Sequence, residues 1–415
     1  MANDNQRTFA IVGASLAGAK AAETLRDEGF DGRVVLLGEE PVRPYERPPL
    51  SKDYLRGESG TDKVFVHDAD YYESNNIELR LSTRVIGVES RNRAIVLDSG
   101  EQLTYDSLLL ATGAQPRLLT VPGSHLKGVH YLRSMADSDR LRFAIASATR
   151  VVVIGGGWIG CEVAASARQM GSEVSMVEVG NLPLERVLGP ELGAFYRDVH
   201  ADNGVDLHLG AGVAELRGKD EVEDVVLSDG KVLTADVVVV GVGVSPRVDI
   251  AESAGLALDN GVLTNEWLSA SEPNIFAAGD VANAWHPVLE RRVRLEHWSS
   301  ALNQGPVAAR NMMGLKTAYE RIPYFFSDQY DVSMEYSGLA VDWDEVVIRG
   351  EVATREFIAF WIKDGRLAAG MNVNVWDVAG DIAKLVAAKV PVEPGQLRDP
   401  DVQLSSLVDT SGGPK

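Results

Sequence analysis

Short apolar runs closed by glycine and followed by a helical pattern recur along this chain. Thr8–Val12 reads as a buried strand, Leu16–Glu28 as an amphipathic helix and Arg33–Gly38 as a second apolar strand. The same order returns at Arg150–Ile154, Ile159–Met170 and Glu173–Val177. The glycines that open the two turns, Gly13 and Gly155, are 142 residues apart, so the pattern predicts two βαβ modules. A second echo supports duplication. Leu97–Arg117 and Leu227–Arg247, offset by 130 residues, align without a gap. Gly100/Gly230, Leu103/Leu233, Thr104/Thr234, Asp106/Asp236, Gly113/Gly243, Pro116/Pro246 and Arg117/Arg247 coincide. Each copy reads as a hairpin, a buried strand (Ser107–Leu110 or Val237–Val240) and a glycine turn.

From about Tyr324 the period shortens to alternation. Val332–Tyr336, Glu345–Arg349, Glu356–Ile362 and Arg366–Asn372 read as strands, with a hairpin turn at Asp364-Gly365 and then a helix over Val378–Ala388. Ser405–Lys415 is expected to fray. The fold class is α/β: two dinucleotide-binding, Rossmann-like domains plus a C-terminal α+β domain. The expected division is 1–113 and 243–322 for a first dinucleotide domain in two parts, 114–242 for a second, and 323–415 for the last.

Composition narrows the chemistry. The 415 residues are 45% hydrophobic and 24% charged, ordinary values for a globular protein of two or three domains. The polar start, Met1–Arg7, has neither an apolar signal core nor a transit pattern, and no apolar run approaches the roughly 20 residues of a membrane span. A cytosolic location is expected. A net charge of −20 argues against nucleic acid or anionic membrane as partner. Cys161 is the only cysteine, which excludes an intrachain disulfide, a Cys-x-x-Cys pair and a cysteine-ligated metal cluster. No metal site is expected, and redox chemistry must run on bound organic cofactors.

Gly13-Ala14-Ser15-Leu16-Ala17-Gly18 leaves a strand and opens a helix. A dinucleotide pyrophosphate needs that tight turn, close backbone approach and the positive end of a helix. Ser15 stands where the middle glycine is usual. Glu39, 26 residues past Gly13, can accept hydrogen bonds from a ribose diol. Gly155-Gly156-Gly157-Trp158-Ile159-Gly160 is the complete fingerprint, with Glu178 as its acid 23 residues on. A carboxylate there takes the ribose hydroxyls of NADH and repels a 2′-phosphate, and no cation precedes Arg186. One fingerprint suffices for a simple dehydrogenase. Two imply FAD plus NAD(P)H, stacked so that hydride passes between them; FAD is expected on the first loop and NADH on the second.

Several segments together resemble the NADH-dependent ferredoxin reductases of oxygenase and haem-thiolate monooxygenase chains, relatives of apoptosis-inducing factor. They are Glu39–Lys52 with its Arg47-Pro-Pro-Leu-Ser-Lys52 core, Ala111-Thr112-Gly113, Gly157-Trp158-Ile159-Gly160-Cys161-Glu162, Ile275–Val281, Glu296-His297-Trp298 and Tyr324–Tyr330. The resemblance runs from about residue 7 to 395 and implies the glutathione-reductase type of fold. It also implies a set of cofactor contacts. For FAD these are Gly13, Ser15, Leu16, Ala17, Gly18, Glu39, Arg47, Lys52, Val85, Ala111, Thr112, Gly113, Arg133, Gly279, Asp280, Trp298 and Phe326. For NADH they are Gly155, Gly157, Trp158, Ile159, Gly160, Glu162, Glu178, Arg186 and Gly243.

Within that set the resemblance gives Lys52, near the flavin N5 edge, a pairing with Glu162, and makes these two the catalytic candidates. Asp280 would meet the ribityl hydroxyls. A helix from about Ser299 to Met313 would aim its N-terminus at the flavin pyrimidine carbonyl. Phe326 stands where several members carry Trp, which bears on the stability of a reduced-flavin–NAD+ charge-transfer complex and not on hydride transfer. Cys161 reads as helix packing. Disulfide-reducing relatives carry their redox cysteine where this chain has Ser51 and no sulfur.

The resemblance therefore implies an external [2Fe–2S] ferredoxin as one-electron acceptor, serving an oxygenase. Arg291, Arg292 and Arg294 on one loop, and Arg310 with Lys316, are candidate basic docking residues. An NADH-sensing protein like apoptosis-inducing factor, a monodehydroascorbate-type reductase and a flavin oxidase remain as alternatives.

Overall fold

A computed structural model describes residues 7–408, which fall into two compact units. One contains the chain up to Glu46, Asp62–Gln115 and Ser245–Pro323; the other contains Arg47–Thr61, Pro116–Val244 and the chain from Tyr324 onward.

The first unit is built on a five-stranded parallel sheet in the order Ile275–Ala277, Ser107–Leu110, Thr8–Val12, Arg33–Leu37, Ile77–Arg80. Its central strands are apolar on both faces, as a sheet covered on both sides requires. The helix Leu16–Asp27 lies along the helix Trp298–Met312 so closely that a Cβ at Gly305 would sit 2.4 Å from the Ala17 carbonyl oxygen. Gly305 is thus a packing residue that the helical pattern alone did not distinguish.

The second unit repeats the architecture. Its parallel sheet runs Val205–Leu209, Glu173–Glu178, Arg150–Ile154, Val237–Val240, Val129–His130. The 130-residue echo has a structural counterpart. Val85–Glu89, Ala94–Leu97 and Gln102–Thr104 form a three-stranded antiparallel sheet in the first unit, and Val213–Arg217, Asp224–Leu227 and Val232–Thr234 form its twin in the second. The repeated aspartates do the same work. Asp106 accepts from the Thr8 amide at 2.7 Å, and Asp236 from the Thr149 and Arg150 amides at 3.0 and 2.8 Å. Each pins the start of the neighbouring parallel strand.

The second unit also holds an antiparallel sheet in the order Tyr324–Gln329, Val332–Gly338, Arg366–Val373, Glu356–Lys363, Glu345–Glu351, with the helix Ala379–Ala388 against it. Asp364 and Gly365 turn its hairpin with φ of 48° and 67°, as a two-residue turn between right-twisted strands demands. Phe325, Tyr336 and Trp361 of this sheet share one hydrophobic core with Val153, Ala164 and Tyr196 of the nucleotide fold.

Three details depart from the sequence reading. The later helix begins at Trp298, not Ser299, with His297 as its cap residue. Arg291–Val293 is a strand paired with Ala282–His286, not a loop. Leu404–Val408 is helical where fraying was expected from Ser405, because Leu404 and Leu407 are buried; the rest of that segment lies outside the described residues. Among the described residues no helix is long and apolar enough to cross a membrane.

Candidate functional site

In the first unit the strand Thr8–Val12 ends at Gly13, whose φ of +119° only glycine adopts readily. A Cβ there would lie 2.1 Å from the Ala111 carbonyl oxygen, and one at Gly18 would lie 2.1 Å from that of Gly13. The loop is therefore pressed flat against Ala111-Thr112-Gly113. Ser15 is the cap residue of the helix, its hydroxyl making no capping bond, and no acid occupies the first turn. Leu16 and Ala17 are buried in that turn. A Cβ at Gly279 would rest 3.3 Å from that of Ala17, which brings the Gly279-Asp280 turn beside the loop.

Glu39 is engaged differently from expectation. Arg247 grips it with both terminal nitrogens, one bond measuring 3.0 Å, while the Arg247 amide donates to Gly113 and its carbonyl accepts from the Thr112 hydroxyl at 2.8 Å. Arg247 thus ties the acid to the Ala111–Gly113 turn. Trp298 shares a hydrogen bond with Glu46, whose carboxyl is pushed up by burial. Val85 is buried in the core beside Val12 and Leu37. Gln304 accepts from the Gly279 amide at 2.8 Å. Arg247, Glu46 and Gln304 were missed; only Arg247 had a sequence signal, its place in the echo.

The second unit repeats the cradle. Gly155 has φ of +106°, and a Cβ would meet the Gly241 carbonyl oxygen at 2.4 Å; at Gly160 it would meet that of Gly155 at 1.9 Å. Gly157 faces open space. The helix Trp158–Gln169 starts here without an acid in its first turn and without a side-chain cap, so the positive end of its dipole is not offset from within the helix. Glu178 is held by the Gly156 and Gly180 amides at 2.5 and 2.7 Å, fixing its carboxylate beside the loop. Ile159 is exposed, whereas the Trp158 ring packs against Tyr196 and Phe325 and serves the core. Arg186 is exposed at the start of the helix Glu185–Asp202. Gly243 turns with φ of +98° and accepts from the Arg117 amide.

Beside this loop the structure brings Lys52 and Glu162 together. Lys52 Nζ lies 2.8 Å from Glu162 Oε2, and the two side chains are only 11% and 5% exposed. Lys52 also donates to the Pro48 carbonyl at 3.2 Å and sits 5.6 Å from the Phe326 ring centre. Pro48–Ser51 forms a single 3-10 turn that carries Lys52, capped by Arg47, which donates to the Arg133 carbonyl. The Ser51 and Ser327 hydroxyls also donate to Glu162, at 2.5 and 2.7 Å. Cys161 is fully buried, and burial raises its thiol well above the ordinary range, so it stays protonated.

The docking candidates are less available than their sequence suggests. Arg294 pairs with Glu296 and Arg310 with Glu28, while Arg292 donates to the Thr264 and Asn283 carbonyls. Arg291 and Lys316 are exposed.

Both glycine cradles therefore fit a dinucleotide: backbone is packed where a Cβ would collide, a helix starts at each loop, and an acid stands at each following strand. The sequence matches the pyridine nucleotide-disulphide oxidoreductase family over residues 7–305 and the reductase C-terminal family over 324–408. The chain belongs to the pyridine nucleotide-disulphide oxidoreductase family, among its ferredoxin reductases. It is 39% identical to the anthranilate 1,2-dioxygenase system ferredoxin–NAD(+) reductase component of Burkholderia cepacia, covering 96% of this chain and 99% of that one. It is 35% identical to putidaredoxin reductase CamA of Pseudomonas putida, over 98% and 97% of the two chains. Its fold superposes on the reductase of a covalent putidaredoxin reductase–putidaredoxin complex with a TM-score of 0.94, 34% identity and coverage of 98% and 99%.

As a member of this family the protein is a pyridine-nucleotide oxidoreductase, and two expected results follow from its site. NADH should outperform NADPH by on the order of 10² in kcat/KM, because a nucleotide seated on the Gly155–Gly160 loop would bring a 2′-phosphate against the like charge of the pinned Glu178 carboxylate; steady-state kinetics with both nucleotides measure it. Burial pushes His200, which is fully buried behind Gln329, down to about 4 from 6.5. Its folded value lies below the unfolded one, so the stability it contributes is complete above about pH 6.5 and is lost as pH falls towards 4, about 3 kcal/mol in all. In thermal melts between pH 7 and 4.5, His200→Gln has a shallower acid decline than the parent protein.

Proposed function

We propose that this protein carries FAD on the Gly13–Gly18 loop with Glu39, Ala111–Gly113 and Asp280, binds NADH on the Gly155–Gly160 loop with Glu178, and reduces a separate [2Fe–2S] ferredoxin that feeds an oxygenase or haem-thiolate monooxygenase. The four-part division at residues 113, 242 and 322 belongs to this reading, as does a cytoplasmic location, where NADH is regenerated. The observation that carries it is the pair of glycine cradles, each closed against backbone and each with its acid, in a chain whose single cysteine is buried and protonated. An internal disulfide cannot relay electrons here, so the acceptor is a second molecule. The named relatives, reductase components of dioxygenase and putidaredoxin systems, point to a ferredoxin.

Bound FAD would supply the conversion between a two-electron donor and a one-electron acceptor. The chain's own residues bind and orient. Glu178 selects the ribose diol, the Trp158–Gln169 helix start receives pyrophosphate, and the Lys52–Glu162 pair places a fixed positive charge beside the nicotinamide end of the loop. NADH-driven cytochrome c reduction across a panel of [2Fe–2S] ferredoxins tests the reading. At least one ferredoxin should raise the rate severalfold over oxygen or ascorbyl radical as acceptor; equal rates with and without every ferredoxin would reject it.

A further inference from the structure

The segment Phe325-Phe326-Ser327-Asp328-Gln329 has two buried polar residues that the function above leaves unused. Ser327 and Gln329 are two apart on the strand Tyr324–Gln329 and therefore share a face. Both are 1% exposed, in a protein interior where a polar group without a partner is costly. Their partners form one line. Ser327 Oγ lies 2.7 Å from Glu162 Oε1, Gln329 Nε2 lies 3.2 Å from Ser327 Oγ, and His200 Nε2 lies 3.0 Å from Gln329 Oε1. The Tyr330 hydroxyl is 3.4 Å from His200 Nδ1.

Only one arrangement of protons satisfies every member. His200 is neutral with its proton on Nε2 and accepts from Tyr330 at Nδ1, so it donates to the Gln329 carbonyl oxygen. That fixes the amide orientation, and the Gln329 NH2 then donates to Ser327. With its oxygen so occupied, Ser327 must aim its own hydrogen at Glu162. The line is therefore directional and ends on the carboxylate.

The other Glu162 contacts show what this achieves. Lys52 and Ser51 both address Oε2. A carboxylate held at one oxygen alone is free to turn about its terminal bond, where the torsional wells are broad. A donor on Oε1 locks its plane, and with it the position of the Lys52 ammonium.

We propose that Ser327, oriented by Gln329 and His200, is a positioning residue that sets the Glu162 carboxylate and through it Lys52. This inference rests on the reading of Lys52 and Glu162 as the pair that orients nicotinamide. It links the C-terminal sheet to the nucleotide loop within one unit, and it accounts for the alternate polar residues of the Ser-Asp-Gln segment.

The test uses the FAD-loaded enzyme, three variants of the line and Lys52→Met. Ser327→Ala should lower kcat with NADH and ferricyanide on the order of tenfold, the scale of one hydrogen bond to a charged group, with KM for NADH changed less than about twofold. Ser327→Thr, which keeps the hydroxyl on a β-branched side chain suited to a strand, should restore kcat to within about twofold. Gln329→Leu, which breaks the line one step back, should move kcat in the same direction as the alanine variant. A second readout does not depend on turnover. Acylation of Lys52 by an N-hydroxysuccinimide ester, followed by peptide mass spectrometry, should quicken at least about threefold in Ser327→Ala and Gln329→Leu and stay at the parent rate in Ser327→Thr. Unchanged Lys52 acylation in both the alanine and leucine variants overturns the proposal. Faster acylation together with full activity in Lys52→Met upholds the positioning and instead rejects the role given to the pair.

Discussion

Lys52→Met should destabilise the protein by about 3 kcal/mol and slow NADH-driven flavin reduction by on the order of 10², whereas adding Glu162→Gln should recover most of the stability and none of the rate. The physical basis is the burial of the pair. Glu162 is 4% exposed, and its carboxylate is compensated by one ammonium and two hydroxyls. Removing the ammonium alone leaves a buried charge without its counter-ion, which costs about 3–5 kcal/mol in comparable sites. Removing both charges leaves a neutral amide whose oxygen can accept from the Ser327 hydroxyl while its NH2 donates to the Ser51 hydroxyl oxygen, so no buried charge is left without its counter-ion. Rate cannot return, because the fixed positive charge beside the loop is gone. Urea unfolding and stopped-flow reduction of the single and double variants separate the two effects. Additive stabilities would show that the pair is not coupled, and an unaltered reduction rate in Lys52→Met would remove it from the mechanism.

Alanine substitutions in the two glycine cradles should dissociate the two cofactors. Gly13→Ala should yield protein with little or no bound FAD, since its Cβ would meet the Ala111 carbonyl oxygen at 2.1 Å in a left-handed backbone conformation. Gly155→Ala should retain FAD and lose NADH, its Cβ meeting the Gly241 carbonyl oxygen at 2.4 Å. The displaced loop can no longer present its amides to the pyrophosphate, so KM for NADH should rise by more than about tenfold. The visible flavin spectrum of the purified variants and NADH titration read the two outcomes. Loss of FAD in Gly155→Ala, or its retention in Gly13→Ala, would reverse the assignment of the loops.

Much of this site was legible along the chain because its signals are local. A glycine turn must sit between its strand and its helix, and the acid must end the next strand, so Gly13, Gly18, Gly155, Gly160 and Glu178 are found by spacing. The 130-residue echo is equally direct, and in space it becomes twin three-stranded sheets with Asp106 and Asp236 in matching roles. Gly305 was invisible, because a glycine within a helical run shows its purpose only against the opposing Ala17 carbonyl. Arg247 lay in plain view within the echo, yet nothing in one dimension joins it to Glu39, 208 residues earlier. Trp158 reads as part of a nucleotide fingerprint and turns out to face the core, since a helix presents successive residues to different sides.

The sequence by itself determined the two glycine loops, the acids that follow them, the duplicated architecture and the exclusion of internal disulfide chemistry. Each follows from spacing or from a count. Only the tertiary structure decided how Glu162 is held. Ser51, Lys52, Ser327, Gln329 and His200 come from three distant stretches of chain and converge on one carboxylate, a result of packing the C-terminal sheet onto the nucleotide fold around Phe325, Tyr336 and Trp361. Hydrogen-bond direction depends on which partner each buried group already has, and that is set in three dimensions.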